Sequence, residues 1–356
     1  MAAIRLRGIR LVAGGKVVLD DVALDVAEGE RLAVVGSSGS GKTLLLRAIA
    51  GLDRPEGGQV YVHGVAVRGT RRDVTMVFQG DNVYDHLEVE GNLELPLRFA
   101  KGSLGSVEAT AARFTIRRLL RRRPATLSAG QRRTVAAARA LVRDDVRVVL
   151  LDEPLSGTDP HRRSVVVDSV MSDRRLTVVL ATNEPADAFR WADRAAVIDA
   201  GRVAQVDAPR QVYRYPVSLA VGELMGELNR FPATVEQVDG RSWAHIAGTR
   251  LLLRNGGRGL VAGGRVVVAV RPPDLRVATP GTPFERTIHA TVGRVEQDGG
   301  TQRVLFGLGA SAGAGFVAVV PAPHKLRRGD RVVWCAEPDR IRVFDPVSGA
   351  SLDSDP

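Results

Sequence analysis

With 356 residues, the chain is too long for one small core, and its length predicts two or three domains. Apolar residues make up 44% of it and charged residues 25%, a globular composition that excludes general disorder. The net charge of +10 would suit nucleic acid, but it comes almost entirely from arginine. The densest basic run, residues 117–123, has no interleaved aromatic residue for base stacking, so we expect solvated arginines and no nucleic-acid partner.

The single cysteine, Cys335, excludes an internal disulfide and a cysteine-based metal site, and it favours a reducing compartment. No apolar run approaches the ~18 residues that cross a bilayer, and the first residues lack an apolar signal core. We therefore expect an intracellular chain that would reach a membrane only through a partner.

The first part of the chain, residues 1–230, alternates short apolar runs with helical patterns, which predicts a largely parallel sheet with crossover helices. A helix is predicted at Leu44–Gly51, and a helical subdomain over about 82–140, where strand signals are missing. The predicted strands are 4–6, 17–26, 31–35, Val74–Phe78, Val146–Leu151, Thr177–Ala181 and Ala195–Ile198.

The second part, residues 231–356, consists of short valine-rich runs punctuated by glycine and proline, which predicts a small all-β barrel or a pair of barrels. We expect the tail, 348–356, to be frayed. The predicted strands are Ala233–Val238, Arg250–Leu253, Val266–Val270, Thr287–Val295, Gln302–Gly307, Gly315–Val320, Arg331–Cys335 and Arg340–Val343.

A phosphate-binding loop follows the apolar run 32–35 and opens a helix, which is the context that this glycine-rich pattern requires. Its glycines let backbone N–H groups turn toward phosphates, and the helix N-terminus adds positive potential. We predict that Lys42 reaches the β- and γ-phosphates of ATP and that the Thr43 hydroxyl ligates Mg²⁺. The predicted ATP-binding residues of the loop are Gly36, Ser37, Ser38, Gly39, Ser40, Gly41, Lys42 and Thr43.

Two carboxylates end the apolar strand Val148–Leu151 about a hundred residues after this loop. In that order, Asp152 is predicted to hold the Mg²⁺ shell and Glu153 to polarise the attacking water.

The pentapeptide 127–131, Leu-Ser-Ala-Gly-Gln, resembles the LSGGQ signature of ABC-type ATPases, with Ala129 in place of the first glycine. Phe78-Gln79 resembles the Q-loop of that family, 156–159 its D-loop, and 181–184 its switch segment. These elements stand in the family's order. The resemblance covers residues 1–230 and implies an ABC-type P-loop ATPase domain.

The resemblance also implies a dimer in which two subunits enclose two ATP molecules. The signature residues Ser128, Ala129, Gly130 and Gln131 would then meet the γ-phosphate of the partner's nucleotide, Asp159 would belong to the D-loop, and Gln79 would sense Mg²⁺ and relay to a membrane partner. Plainer alternatives remain for two of them: Ser128 as an ordinary helix N-cap, and Gln79 as a solvated turn residue.

A branch of the family is indicated by Asp73–Gln79, Tyr84–Val89 and Tyr213–Pro216, which resemble importers of sugars and related solutes. Val270–Pro273 and Val343–Gly349 resemble the oligonucleotide-binding-like regulatory barrel of maltose- and glycerol-phosphate-type importer ATPases. The resemblance implies an ATPase on the cytoplasmic face of the cell membrane, two integral-membrane permeases docking near 79–100, and an extracytoplasmic solute-binding protein. The barrel would be a dimerisation and spacer module rather than a small-molecule site.

Two positions near the nucleotide depart from the family pattern. Asn183 stands where the family has its switch histidine, and an amide in place of a stronger donor to phosphate costs ~1.5–3 kcal/mol, which slows hydrolysis by ~10- to 100-fold. Val12 stands where an aromatic residue stacks on adenine, a contact worth ~1–3 kcal/mol.

Two assemblies fit these departures: a slow but active homodimer, which we favour because such importers usually pair identical subunits, and the weaker half of a heterodimer. The corresponding functions are an ATP-hydrolysing importer subunit, or a nucleotide-gated subunit that hydrolyses little. A soluble ABC ATPase acting on nucleic acid is a third reading, motivated only by charge.

Overall fold

The computed structural model describes residues 2–80, 82–99, 105–154, 167–246, 248–253, 260–308, 315–321 and 325–353. The chain divides into two compact units, Met1–Arg210 and Gln211–Pro356. No helix among these described residues is both long and apolar enough to cross a membrane.

The strands of the first unit are β1 Ala2–Ala13, β2 Lys16–Ala27, β3 Arg31–Val35, β4 Gly57–Val62, β5 Val65–Ala66, β6 Val74–Val77, β7 Val148–Asp152, β8 Thr177–Thr182, β9 Arg194–Asp199 and β10 Arg202–Asp207. Its helices are α1 Lys42–Ile49, α2 Val89–Phe99, α3 Val107–Arg113, α4 Ala129–Ala140 and α5 Pro185–Trp191. Residues 167–171 are also helical.

One sheet of this unit has the strand order β10-β9-β3-β8-β7-β6, and every neighbouring pair except β10 and β9 is parallel. Strands β3, β7 and β8 are buried along their whole length, as their continuous apolar runs predict. Val35 pairs with Thr182, and Asp152 pairs with Ala181, so β3, β7 and β8 end at one edge of the sheet. The predicted parallel sheet is confirmed, and this edge carries the site.

A second sheet was not predicted. Its order is β2-β1-β4-β5, and all of its pairs are antiparallel. The predicted strand at 4–6 is confirmed but is only part of β1, which runs from Ala2 to Ala13 and forms a long hairpin with β2. Strands β4 and β5 were not predicted. Strand β4 begins with two glycines, and β5 has only two residues.

The predicted helical region contains α2, α3 and α4, joined by 3₁₀ turns at Arg117–Leu119 and Pro124–Thr126. Its buried apolar residues form one core with one face of the parallel sheet, the face that carries Val149 and Leu151 of β7 and Val178 and Leu180 of β8. Phe114 is the largest side chain of this core that is fully buried. The polar Asn92 on α2 is also fully buried, and it holds the loop before the helix by bonding Tyr84 N, Tyr84 O, Leu87 O and Glu88 O.

The second unit is all-β apart from short helices, as predicted. Two five-stranded sheets have the orders β13-β12-β11-β14-β20 and β15-β19-β16-β17-β18, and all their pairs are antiparallel. Its elements are α6 Pro209–Arg214, α7 Leu219–Leu224, β11 Asn229–Val238, β12 Arg241–Ile246, β13 Thr249–Leu252, β14 Arg265–Val270, β15 Arg276–Val277, β16 Thr287–Asp298, β17 Thr301–Leu308, β18 Phe316–Pro321, β19 Arg331–Cys335 and β20 Arg342–Phe344.

One core fills the space between these two sheets. Phe306 stacks on Trp334 with ring centroids 5.1 Å apart, and Phe231 stacks on Phe316 at 4.2 Å. Strand β12 was not among the predicted strands, because the polar Ser242 takes a buried position and the large apolar Trp243 lies on the outer face.

The two units separate at 210/211, whereas the sequence predicted a boundary at 230/231. The physical reason is a buried arginine, Arg271, whose guanidinium donates to Tyr213 O, Gly226 O and Glu227 O and lies 4.1 Å from the Tyr213 ring. These bonds tie the segment before β11 to the second unit. The fraying predicted for the tail is not seen at Leu352, whose N–H donates to Val343 O at 2.8 Å. Residues 354–356 lie outside the described residues.

Candidate active site

The phosphate loop lies between β3 and α1, as its motif predicts, and two of its glycines are required by space. A Cβ on Gly36 would come within 2.6 Å of Ser40 Oγ and 2.9 Å of Ile198 O. Gly41 has a φ of +97°, and a Cβ there would lie 2.8 Å from the Leu19 side chain. Any larger residue at either position would distort the loop.

Lys42 is 4% exposed and bends back over this loop. Its ammonium group donates to Gly36 O at 2.9 Å and to Ser37 O at 2.8 Å. Burial lowers the pKa of Lys42, and the carboxylates of Glu153 and Asp152 counteract part of that effect. The only cation of the loop is thus held above the backbone that would receive phosphates.

Thr43 and Asp152 meet at the sheet edge, where Thr43 Oγ1 donates to Asp152 Oδ1 at 3.0 Å. Asp152 is 3% exposed, and burial raises its pKa despite the Thr43 hydrogen bond, which acts in the opposite direction. A hydroxyl beside a carboxylate is a donor set that suits Mg²⁺. Among the described residues, no three His, Cys, Asp or Glu side chains cluster as a complete metal site.

Glu153 follows directly and has a backbone φ of +41°, an unusual value for a residue with a side chain. Its N–H donates to Ala181 O at 3.0 Å, which fixes the turn after β7. Glu153 Oε2 accepts from Gln79 Nε2 at 3.1 Å, and Oε1 lies 3.9 Å from Lys42 Nζ. Residues that are 74 positions apart are therefore brought into direct contact, and Gln79 is more than a solvated turn residue.

The signature segment begins α4. Ser128 Oγ accepts from Gln131 N at 3.3 Å, while the Gln131 side chain accepts from Ser128 N at 3.0 Å, a reciprocal capping box. Both Ser128 and Ala129 are exposed. The N-cap alternative for Ser128 is thus real, and it leaves the role of the segment toward a partner's nucleotide as a prediction.

The switch segment follows β8. Asn183 is exposed, and its side chain has no hydrogen-bond partner among the described residues. The shape of this turn depends on Thr182 instead, which donates to Asp187 Oδ2 at 2.8 Å and accepts from Glu184 N at 3.0 Å. The sequence reasoning missed this pair; its signal is a threonine that ends a strand and an aspartate in the first turn of the next helix.

Val12 lies near the tip of the β1–β2 hairpin, opposite Val17. Its N–H donates to Glu56 Oε2 at 3.1 Å. The same hairpin reaches the phosphate loop, because the Leu19 side chain borders Gly41. The predicted D-loop residue Asp159 lies outside the described residues.

The fold and this arrangement define a P-loop ATPase with an appended β unit. Residues 19–156 match the family described as ABC transporter, and residues 268–344 match the TOBE domain. The chain belongs to the family of ABC transporter ATP-binding subunits, which use ATP with Mg²⁺.

Two relatives match along nearly their whole length. The sn-glycerol-3-phosphate import ATP-binding protein UgpC of Paracoccus denitrificans is 34% identical over 366 residues, covering 99% of this chain and 100% of that protein. The alpha-glucoside transport ATP-binding protein AglK of Rhizobium meliloti is 32% identical over 361 residues, covering 97% of this chain and 98% of that protein.

A solved structure matches the ATPase part. The dimeric post-hydrolysis state of the ATP-binding cassette MJ0796, bound to ADP and phosphate, is 26% identical with a TM-score of 0.52, covering 58% of this chain and 99% of that chain.

Proposed function

We propose that the chain hydrolyses ATP to energise an ABC importer for a sugar or sugar-like solute. One observation carries the proposal: relatives that are named as import or transport ATP-binding proteins for glycerol phosphate and glucosides match across both units of the chain. The meeting of Lys42, Thr43, Asp152 and Glu153 at one sheet edge supports hydrolysis as well as binding.

In the proposed reaction, Glu153 accepts a proton from the water that attacks the γ-phosphate in line. The bond from the γ-phosphorus to the bridging β-phosphate oxygen breaks, and ADP and phosphate leave. Lys42 exchanges its two carbonyl partners for phosphate oxygens, and Asn183 donates a neutral hydrogen bond to the γ-phosphate. Thr43, Asp152 and Gln79 would hold Mg²⁺, which would neutralise charge on the phosphates. The hydrogen bond from Gln79 to Glu153 supports a role for Gln79 in linking metal binding to the base.

The complete site requires a second ATPase subunit, whose segment Ser128–Gln131 would close over the nucleotide, with Asp159 in the adjoining D-loop. A homodimer is favoured. A heterodimer is the alternative, in which a partner with a histidine at the switch position supplies the faster of two sites. The second unit would serve as a regulatory or dimerisation module.

Two integral-membrane permeases would hold this ATPase at the cytoplasmic face of the membrane, and an extracytoplasmic binding protein would deliver the solute. A cleft of about 220 Å³ beside the Q-loop supports this docking; Phe78, Asn82, Pro96 and Arg139 are among its lining residues. Nη1 of Arg139 is enclosed without a hydrogen-bond partner among the described residues, and burial lowers the pKa of this arginine. An enclosed cation of this kind suits a carboxylate or carbonyl oxygen from a docked segment.

The test is isolation of the complex from its native membrane through a tag on this chain, with subunits identified by mass. The proposal predicts two permease chains, and phosphate release that rises when the binding protein and its sugar are added. Recovery without permeases would contradict it. A rate at background with ATP bound would favour the alternative of a nucleotide-gated, weakly hydrolysing subunit.

A further inference from the structure

A strongly basic surface precedes the signature segment, and the nucleotide site makes no use of it. It consists of four exposed arginines, Arg118, Arg121, Arg122 and Arg123, which we call the arginine patch. No acidic side chain among the described residues lies within ion-pair distance of any of them. The neighbouring Arg117 differs, because it pairs with Glu108 at 2.8 Å.

Many of the described arginines form ion pairs with carboxylates at the surface. Arg113 with Asp173, Arg143 with Asp145 and Arg303 with Glu227 are examples. Four like charges within six residues repel one another unless an outside anion is near. The patch is therefore a local concentration of positive charge that the fold does not neutralise within the described residues.

The backbone beneath the patch is firmly held. Leu119 and Pro124 are buried, and Arg122 N donates to Leu119 O at 2.8 Å. The segment is also bonded to the start of α2, since Val89 N donates to Arg122 O and Glu90 N donates to Leu120 O, both at 2.9 Å. The backbone that carries the four exposed arginines is therefore fixed.

Helix α2 also lines the cleft beside the Q-loop, through Pro96. The arginine patch thus lies on the same helical region as the face that is proposed to dock a permease. This inference rests on the proposed function for one point only, which is that this region faces a membrane.

We propose that the arginine patch binds the anionic phospholipid headgroups of the membrane surface. Guanidinium groups bind phosphate oxygens bidentately, and arginines near an anionic bilayer each strengthen binding by about fivefold. Single-stranded nucleic acid fits less well, because it needs aromatic side chains for stacking and residues 115–135 contain none. The lipid contact supplements the permease contact and orients the ATPase at the bilayer.

The test is flotation of the full chain with vesicles of phosphatidylglycerol and phosphatidylcholine in equal parts, and with phosphatidylcholine alone. The chain is expected to float with the anionic vesicles only, and less so as salt is raised. The variant R118Q/R121Q/R122Q/R123Q is expected to partition about 600-fold more weakly, and the quadruple lysine variant R118K/R121K/R122K/R123K to retain most binding.

A matched control removes the same charge elsewhere. Arg241, Arg265, Arg328 and Arg331 are exposed arginines of the second unit, and their joint change to glutamine should leave flotation nearly unchanged. Each variant should keep the thermal midpoint and the ATP affinity of the parent, which separates loss of the surface from loss of the fold.

Equal losses in the patch variant and the control variant would overturn the inference, as would flotation with neutral vesicles. Capture of single-stranded RNA that depends on the patch, without vesicle binding, would overturn it in favour of nucleic acid. Permeases that co-isolate while vesicle binding fails would overturn this inference alone. Vesicle binding without permeases would count against the proposed function alone.

Discussion

Gln79 and Glu153 are in direct contact, with the Gln79 amide nitrogen 3.1 Å from Glu153 Oε2. Lys42 Nζ lies 3.9 Å from the other carboxylate oxygen. Both oxygens of the proposed base therefore face a protein donor before nucleotide binds. Phosphate drawn to Lys42 and metal drawn to Gln79 would remove those two donors and leave Glu153 for the attacking water.

The switch position is the first place to test this account. Asn183→His should raise the rate of phosphate release by the assembled complex by ~10- to 100-fold, because a stronger donor would meet the γ-phosphate. Asn183→Ala serves as the control and should be no faster than the parent. Equal rates for all three chains would show that residue 183 takes no part in hydrolysis.

A substitution at Val12 tests whether this position contacts the base of the nucleotide. Val12→Tyr should tighten binding of ATP and of GTP by ~5- to 100-fold each, because one stacking contact is worth ~1–3 kcal/mol and every base offers a face for stacking. Titration of ATP and GTP against the purified chain measures both effects. The same substitution at Val65, an exposed position on β5, is the control. Unchanged nucleotide affinity in Val12→Tyr would show that this part of the hairpin does not contact the nucleotide base.

Ser128 of the signature segment caps a helix, and a matched variant at another helix cap can distinguish this structural role from a role in hydrolysis. Ser106 caps α3 as Ser128 caps α4, accepting from Ala109 N at 3.1 Å. Ser106→Ala and Ser128→Ala should each reduce the free energy of unfolding by about 1 kcal/mol. Only Ser128→Ala should also slow hydrolysis, through the lost contact with the partner's nucleotide. Equal hydrolysis rates in the two variants would reduce Ser128 to an ordinary cap.

Asp152 should destabilise the nucleotide-free chain at neutral pH. Burial raises its pKa, so its stability contribution is present below the unfolded pKa of about 4 and is lost as pH rises through the raised folded value. Asp152→Asn should therefore raise the thermal midpoint at pH 7, change it little below about pH 4, and abolish stabilisation by Mg²⁺ with ATP.

Asp173 provides a control of opposite sign. The Arg175 hydrogen bond lowers its pKa, so its contribution is present at neutral pH and is lost as pH falls through the lowered value. Asp173→Asn should lower the thermal midpoint at pH 7 and leave Mg²⁺ binding intact. A lower midpoint for Asp152→Asn at pH 7 would contradict the burial argument.

Much of the site could be predicted because its chemistry depends on local spacing. The phosphate loop needs glycine at Gly36 and Gly41 for space, and a motif of eight residues records that need. The position of Asp152 follows from a fully buried strand that ends in carboxylates. Parallel strands then bring both features to one edge of the sheet.

The contacts that depend on tertiary structure could not be predicted in this way. The residues next to Gln79 in the sequence do not indicate that it contacts Glu153, 74 positions away. Likewise, the residues next to Glu153 do not indicate its positive φ. The unit boundary also depends on a distant residue, because Arg271 binds backbone oxygens 44–58 positions earlier. Long-range packing and hydrogen bonding determine these features, and periodicity carries no trace of them.

The most direct test of ATP hydrolysis at this site is Glu153→Gln in the membrane-assembled complex, with Glu28→Gln at an exposed position after β2 as the matched change. Removal of a general base typically costs ~10²- to 10⁴-fold in rate. The account predicts that phosphate release by Glu153→Gln falls to background while ATP stays bound, and that Glu28→Gln keeps the parental rate. Undiminished hydrolysis by Glu153→Gln would contradict it.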